Sequence, residues 1–129
     1  MAPKTAYIHN GKGTVRAYVH GRLDLLDFAK EVFGAVELER HTIRNGFHVQ
    51  AQVGDSVLVL SAMEPPHEKA TRASVYVYVE DVDATYERAL TAGATSLEAP
   101  RERPWQGRMA GVQDSFGNIW YIETYHGPN

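Results

Sequence analysis

One unit is written twice along the chain. Residues Leu25 to Ala35 have an amphipathic helix pattern that stops at Gly34-Ala35, and Asp83 to Ala94 repeat it, stopping at Gly93-Ala94. An alternating strand precedes each helix and further strands follow it. A helix must bury its apolar stripe against something, so each copy has to cover one face of its own sheet. With period two in the strands, the other face is then free to line a concave surface.

The first unit is expected to span residues 14–62, followed by a linker over 63–72 that opens with Pro65-Pro66. The second spans 73–125. Thr14 to His20 reads as the first strand, with Val15, Ala17 and Val19 on one side. The helix from Leu23 to Phe33 ends where Gly34 supplies a left-handed stop. Strands follow over Val36–Ile43, Phe47–Val53 and Ser56–Ser61, with Asn45-Gly46 and Gly54-Asp55 as turns. Unit two starts with a strand over Ala73–Val79, its Val75, Val77 and Val79 opposite Ser74, Tyr76 and Tyr78. Asp83 is the expected N-cap of the second helix. Strands over Thr95–Ala99, Arg108–Gln113 and Ile119–Tyr125 complete the repeat, with a loop over Pro100–Gly107 and a turn at Asp114–Asn118. The fold class is α+β: two βαβββ modules making a curved, mostly antiparallel eight-strand surface.

At 129 residues the chain has room for one domain. Its net charge of −3, with both signs intermixed, argues against nucleic acid as the partner. The absence of cysteine excludes disulfides and zinc–thiolate sites. Met1 to Gly13 has no apolar stretch of the kind a secretory signal needs, and no run suits a membrane helix. A cytoplasmic protein is the default expectation.

The double βαβββ order, together with Pro104-Trp105-Gln106-Gly107-Arg108 and Asp114-Ser115-Phe116-Gly117-Asn118-Ile119-Trp120, resembles the vicinal oxygen chelate superfamily. That superfamily includes glyoxalases, bleomycin resistance proteins and extradiol dioxygenases. Asp-x-Phe-Gly-Asn-x-Trp, and Phe47-His48 ahead of Val53-Gly54-Asp55-Ser56, are similar to the branch named after a phosphonate-operon protein. Pro104-Trp105 followed by an arginine resembles the bleomycin resistance members. The resemblance implies a homodimer with a small-molecule site near the module or subunit junction.

Metal-using members of that superfamily present a His on the first strand and a Glu on the fourth strand of each module. Counted onto this chain, those positions fall at Thr14 and Ser74, and at Leu58 and Tyr121. None is a good ligand for a hard divalent ion, so no metal and no cofactor is expected. A slipped last strand would leave one way out, an irregular site of His48, Glu123 and His126.

On the expected concave face, His48 beside Gln50 and Gln52 is the candidate acid or base. Its plainer reading is a strand histidine that anchors backbone or faces water. Glu123 lies in an otherwise apolar strand, where a carboxylate is costly unless paired, with Arg16 for example, or used catalytically. Arg16 and Gln50 are candidate ligand contacts, Arg16 for an anionic group. Tyr18, Tyr76, Tyr78, Trp105 and Tyr121 make an aromatic wall suited to a flat or bulky organic ligand. His9, His20, His41 and His67 read as surface residues, and Glu64, His67 and Glu68 as solvated charge. Two functions fit: sequestration of an aromatic or amphipathic molecule without metal, or lyase or isomerase chemistry with His48 moving a proton and Glu123 assisting. A glyoxalase or dioxygenase with displaced metal ligands is a third.

Overall fold

A computed structural model describes residues 6–104 and 107–126. Its main elements are β1 (Tyr18–Arg22), α1 (Leu25–Phe33), β2 (Val36–Ile43), β3 (Gly46–Val53), β4 (Ser56–Met63), β5 (Ser74–Tyr78), α2 (Val82–Thr91), β6 (Thr95–Arg103), β7 (Gly107–Gln113) and β8 (Ile119–Tyr125). The eight strands divide into two four-stranded sheets of identical order, β1-β4-β3-β2 and β5-β8-β7-β6. In each, the first strand runs parallel to the fourth and the remaining pairs are antiparallel. The fold is the duplicated α+β architecture expected from the repeat.

Helix-facing positions carry the core. Val19, Val49, Ala51, Leu58 and Leu60 are buried with Leu25, Leu26, Ala29 and Val32 of α1. Ala110, Val112, Trp120 and Ile122 are buried with Val82, Tyr86 and Ala89 of α2. The modules meet through their helices and through Trp120, whose ring centroid lies 5.9 Å from that of Phe28 and 5.1 Å from that of Phe33. The Arg88 Nη2 donates to the Val32 carbonyl at 3.1 Å across the same joint.

Four local expectations change. β1 begins at Tyr18, not Thr14: Val15 is 90% exposed, and Ala17 supplies the first carbonyl bonded to β4. Alternation marks an extended segment but does not give it a ladder partner. Second, Asp81 rather than Asp83 caps α2. Its side chain accepts from the Ala84 N–H at 3.1 Å, which leaves Val82, buried to 2%, as the first helical residue. Asp83 instead grips Arg108, with oxygens 2.6 and 2.9 Å from the guanidinium. Third, β6 runs through Pro100 to Arg103, so most of the expected loop is strand. β6 is an edge strand with register shifts between Ser96 and Glu98 and between Glu98 and Arg101, which accommodate a residue that cannot donate to a ladder. Fourth, the two-residue hairpin turn after β2 is Arg44-Asn45, with Asn45 left-handed at φ 69, and Gly46 opens β3.

Candidate functional site

The ladder register sorts every strand residue onto a helix-covered or an open face. On module two, Tyr76 pairs with Tyr121, Tyr78 with Glu123, and Met109 with Glu123, all on the open face. Val75 and Val77 pair with buried Trp120 and Ile122 on the other. Ring centroids lie 5.6 Å apart for Tyr76–Tyr78 and 6.1 Å apart for Tyr76–Tyr121. The Tyr76 hydroxyl donates to Glu123 Oε1 and stands 3.7 Å from Met109 Sδ. Burial, then the hydrogen bond to Glu123, pushes the Tyr76 phenol up to about 12. The phenol therefore remains a donor throughout the neutral range.

Module one has the same geometry and other chemistry. Tyr18 stacks on His20 with centroids 4.5 Å apart and meets His48 edge-on at 6.3 Å. Burial, then the charges of Lys69 and His48, lowers the His20 pKa below its ordinary value. Arg16 does not reach Glu123. Its Nη1 donates to Gln50 Oε1 at 2.8 Å, and its Nη2 to the carbonyls of His9 and Lys12. Gln50 Nε2 lies 2.5 Å from His9 Nδ1, and His9 pairs in turn with Glu39. The short helical turn His9–Gly11 is thus tied onto this face. The polar groups read as ligand contacts, Arg16 and Gln50, are occupied by the chain's own arm.

Of the site residues expected from sequence, two groups are assembled. Tyr76, Tyr78, Tyr121 and Glu123 form one; Arg16, Tyr18, His48 and Gln50 form the other. Among the described residues no hydrogen bond or ring contact joins them, so His48 and Glu123 are not a hydrogen-bonded pair. Trp105 lies outside the described residues. His20 and His9, read as surface residues, belong to module one's face. The parity of His20 with Tyr18 carried that information. Glu68, read as solvated, keeps its carboxylate 3.6 Å from the Arg22 guanidinium with the side chain 14% exposed.

The count of metal positions changes too. Four residues beyond the turn glycine is an open-face position for Tyr121 but a helix-facing one for Leu58. The turn after β3 is two residues, Gly54-Asp55, while that after β7 is five, Asp114–Asn118. By register the counterpart of Tyr121 is Val59, which pairs with Tyr18 as Tyr121 pairs with Tyr76. Ser74 then corresponds to Arg16, not to Thr14. Arg16, Val59, Ser74 and Tyr121 do not suit a hard divalent ion. Among the described residues no group of three or more His, Asp or Glu is placed to hold a metal ion. The irregular set is not assembled: Glu123 bonds Tyr76, and His126 lies 3.6 Å from Glu102.

A cleft of about 580 Å³ opens between the modules. β5 and Trp120 form one side and the Val53–Leu58 turn the other, with Val32, Phe33 and Arg88 also in its wall. Tyr76 and Tyr78 belong to both this cleft and the tyrosine face. The volume lies within the range of small-molecule sites.

Residues 24–122 match the family description Glyoxalase/Bleomycin resistance protein/Dioxygenase superfamily. The chain belongs to this superfamily. It is 32% identical over 109 residues to an uncharacterized protein of Mycobacterium bovis, covering 75% of this chain and 72% of that one. It matches a Mycobacterium tuberculosis protein at the same identity, spanning 64% of that relative's length. Solved structures share the fold. TioX from Micromonospora sp. ML1 superposes with a TM-score of 0.68 at 24% identity, over 86% of this chain and 95% of that one. TnmS3 from Streptomyces sp. CB03234, described as an antibiotic binding protein, superposes with a TM-score of 0.64 at 25% identity, over 86% and 92%. Among the described residues no helix is long and apolar enough to cross a membrane.

Proposed function

We propose that this superfamily member is a metal-independent binding protein for an aromatic or amphipathic organic molecule, which it sequesters intact. The observation that carries the reading is the tyrosine face of module two, Tyr76, Tyr78 and Tyr121, beside a cleft of about 580 Å³ that Tyr76 and Tyr78 also line. Aromatic walls give contact area with little side-chain entropy to lose, and Glu123 with the Tyr76 hydroxyl adds a polar fixing point. TnmS3, described as antibiotic binding, gives the same reading precedent on this fold. The proposal extends to a cytoplasmic homodimer in which Trp105 adds to the wall, and to the phosphonate-operon-like branch.

The test is equilibrium binding followed by mass spectrometry of the recovered ligand. Stoichiometric uptake of unaltered aromatic compound, undiminished by chelator, supports sequestration. Turnover that collapses in His48→Ala while binding persists would replace it with acid–base catalysis. Light scattering tests the dimer.

A further inference from the structure

We infer that the open face of module two receives an organic ammonium group, held between the rings of Tyr76, Tyr78 and Tyr121 and the carboxylate of Glu123. This inference deepens the binding function proposed above and rests on it.

Glu123 is 3% exposed, and its one hydrogen-bond partner among the described residues is the Tyr76 hydroxyl, a neutral donor on Oε1. A buried carboxylate is expensive unless a cation or a full set of donors attends it. Among the described residues no Lys, Arg or His lies within ion-pair distance of Glu123, and Arg103, on the same sheet, keeps its Nε buried and without a hydrogen-bond partner. Arg16 is tied to the arm of module one. Arg101 lies 2.5 Å from Glu98 and Arg103 lies 3.7 Å from the same carboxylate. Arg103 is close enough to act electrostatically on Tyr76, yet it forms no ion pair with Glu123.

The rings supply the second observation. Arginines lie over Phe47 and Phe116 at 4.2 and 4.3 Å, but among the described residues none lies over the three tyrosines. Tyr76 and Tyr78 are 47% and 67% exposed, so their faces are open to a visitor. Aromatic faces carry partial negative charge and attract a desolvated cation, most strongly where an anion stands behind them. The elevated Tyr76 pKa means that the phenol goes on donating to Glu123 instead of competing with it as an anion. Module one is the internal control. Ser61 and His20 occupy the positions of Glu123 and Tyr78 there, and the face carries no buried carboxylate at that site.

Three soluble probes of similar size decide the point: benzyltrimethylammonium, N-benzylacetamide and phenylacetate. Binding is followed by calorimetry and by the ring resonances of Tyr76, Tyr78 and Tyr121. The ammonium ion is expected to bind about tenfold tighter than either other probe, with Glu123→Gln removing most of that preference. Equal or tighter binding of the amide or of phenylacetate overturns the ammonium inference and leaves small-molecule binding intact. So does a preference that survives in folded Glu123→Gln. If none of the probes moves the three tyrosine resonances, both the inference and the binding face fall. The ranking in the unaltered chain decides the matter even if the variant does not fold.

Discussion

The two crevices where the modules meet are counterparts under the internal repeat, and one is filled while the other is open. Each lies between the first strand of one module and the turn after the third strand of the other. Where the five-residue turn Asp114–Asn118 approaches β1, Asn118 Nδ2 donates to the His20 carbonyl at 2.9 Å and Phe116 sits beneath Arg22 and Arg72. Only about 180 Å³ remains there. Where the two-residue turn Gly54-Asp55 faces β5, about 580 Å³ stays open. The faces follow the same asymmetry: an arm lies on module one, and among the described residues no such arm bonds the tyrosines of module two. The duplicated fold closes one of its two crevices and leaves the other open.

The largest expected effect comes from breaking the filled side. Asp114 is buried and accepts from the N–H groups of Phe116, Gly117 and Asn118, from Asn118 Nδ2 and from the Trp120 indole. Asp114→Ala strands these donors, so urea denaturation should show a loss of about 3–5 kcal/mol. Asp55→Ala, in the short exposed turn, should stay within about 0.5 kcal/mol of the parent. Equal losses would mean that the long turn is not what locks the joint.

That lock shows what was and was not legible in the sequence. Asp-x-Phe-Gly-Asn-x-Trp pointed to the superfamily, yet in this chain it is a structural device: the aspartate organises the turn, the asparagine spans the modules, and the tryptophan fills the joint. Strand parity was legible because period two is local. Valines at 75 and 77 against tyrosines at 76 and 78 already divide covered face from open. Turn length was legible as well, but counting from glycines treated unequal turns as equal and so misplaced Leu58. Long-range partners were not legible. Nothing near Glu123 in sequence indicates that Tyr76 rather than Arg16 would meet it, and nothing near Arg16 indicates that a segment seven residues earlier would take its guanidinium.

The next effect in size concerns ligand. Tyr121→Leu should weaken an aromatic ligand about tenfold, a loss of about 1.4 kcal/mol, because a ring wall of the open face is removed. His48→Ala, on the face of module one that carries the arm, should change affinity less than about twofold. Fluorescence titration of both variants tests whether the face of module two alone carries binding. A larger loss in His48→Ala would place the ligand on module one.

The helices give a smaller contrast. Asp81 caps α2 through a hydrogen bond to Ala84, whereas Asp24 at the start of α1 makes no side-chain cap bond. Asp81→Ala should cost about 1 kcal/mol and Asp24→Ala only a few tenths of that, both read by thermal unfolding.

The smallest effect is a divergence in pH response between the two faces. The His20 pKa is lowered in the fold from its ordinary 6.5, so as pH falls below about 6.5 the unfolded chain takes up a proton that the folded chain declines. Stability therefore drops on acidification until the folded value is also passed. Tyr76 is raised from 10.0 to about 12, so in that window the unfolded chain loses a proton that the folded chain keeps, and stability drops as pH rises. His20→Gln should flatten only the acid limb and Tyr76→Phe only the alkaline one, as followed by urea midpoints across pH. Because Tyr76 is 47% exposed, solvent screening keeps its share modest. If Tyr76→Phe leaves the alkaline limb unchanged, the phenol is not held by Glu123 in solution, and the open face loses the polar anchor that distinguishes it from its covered twin.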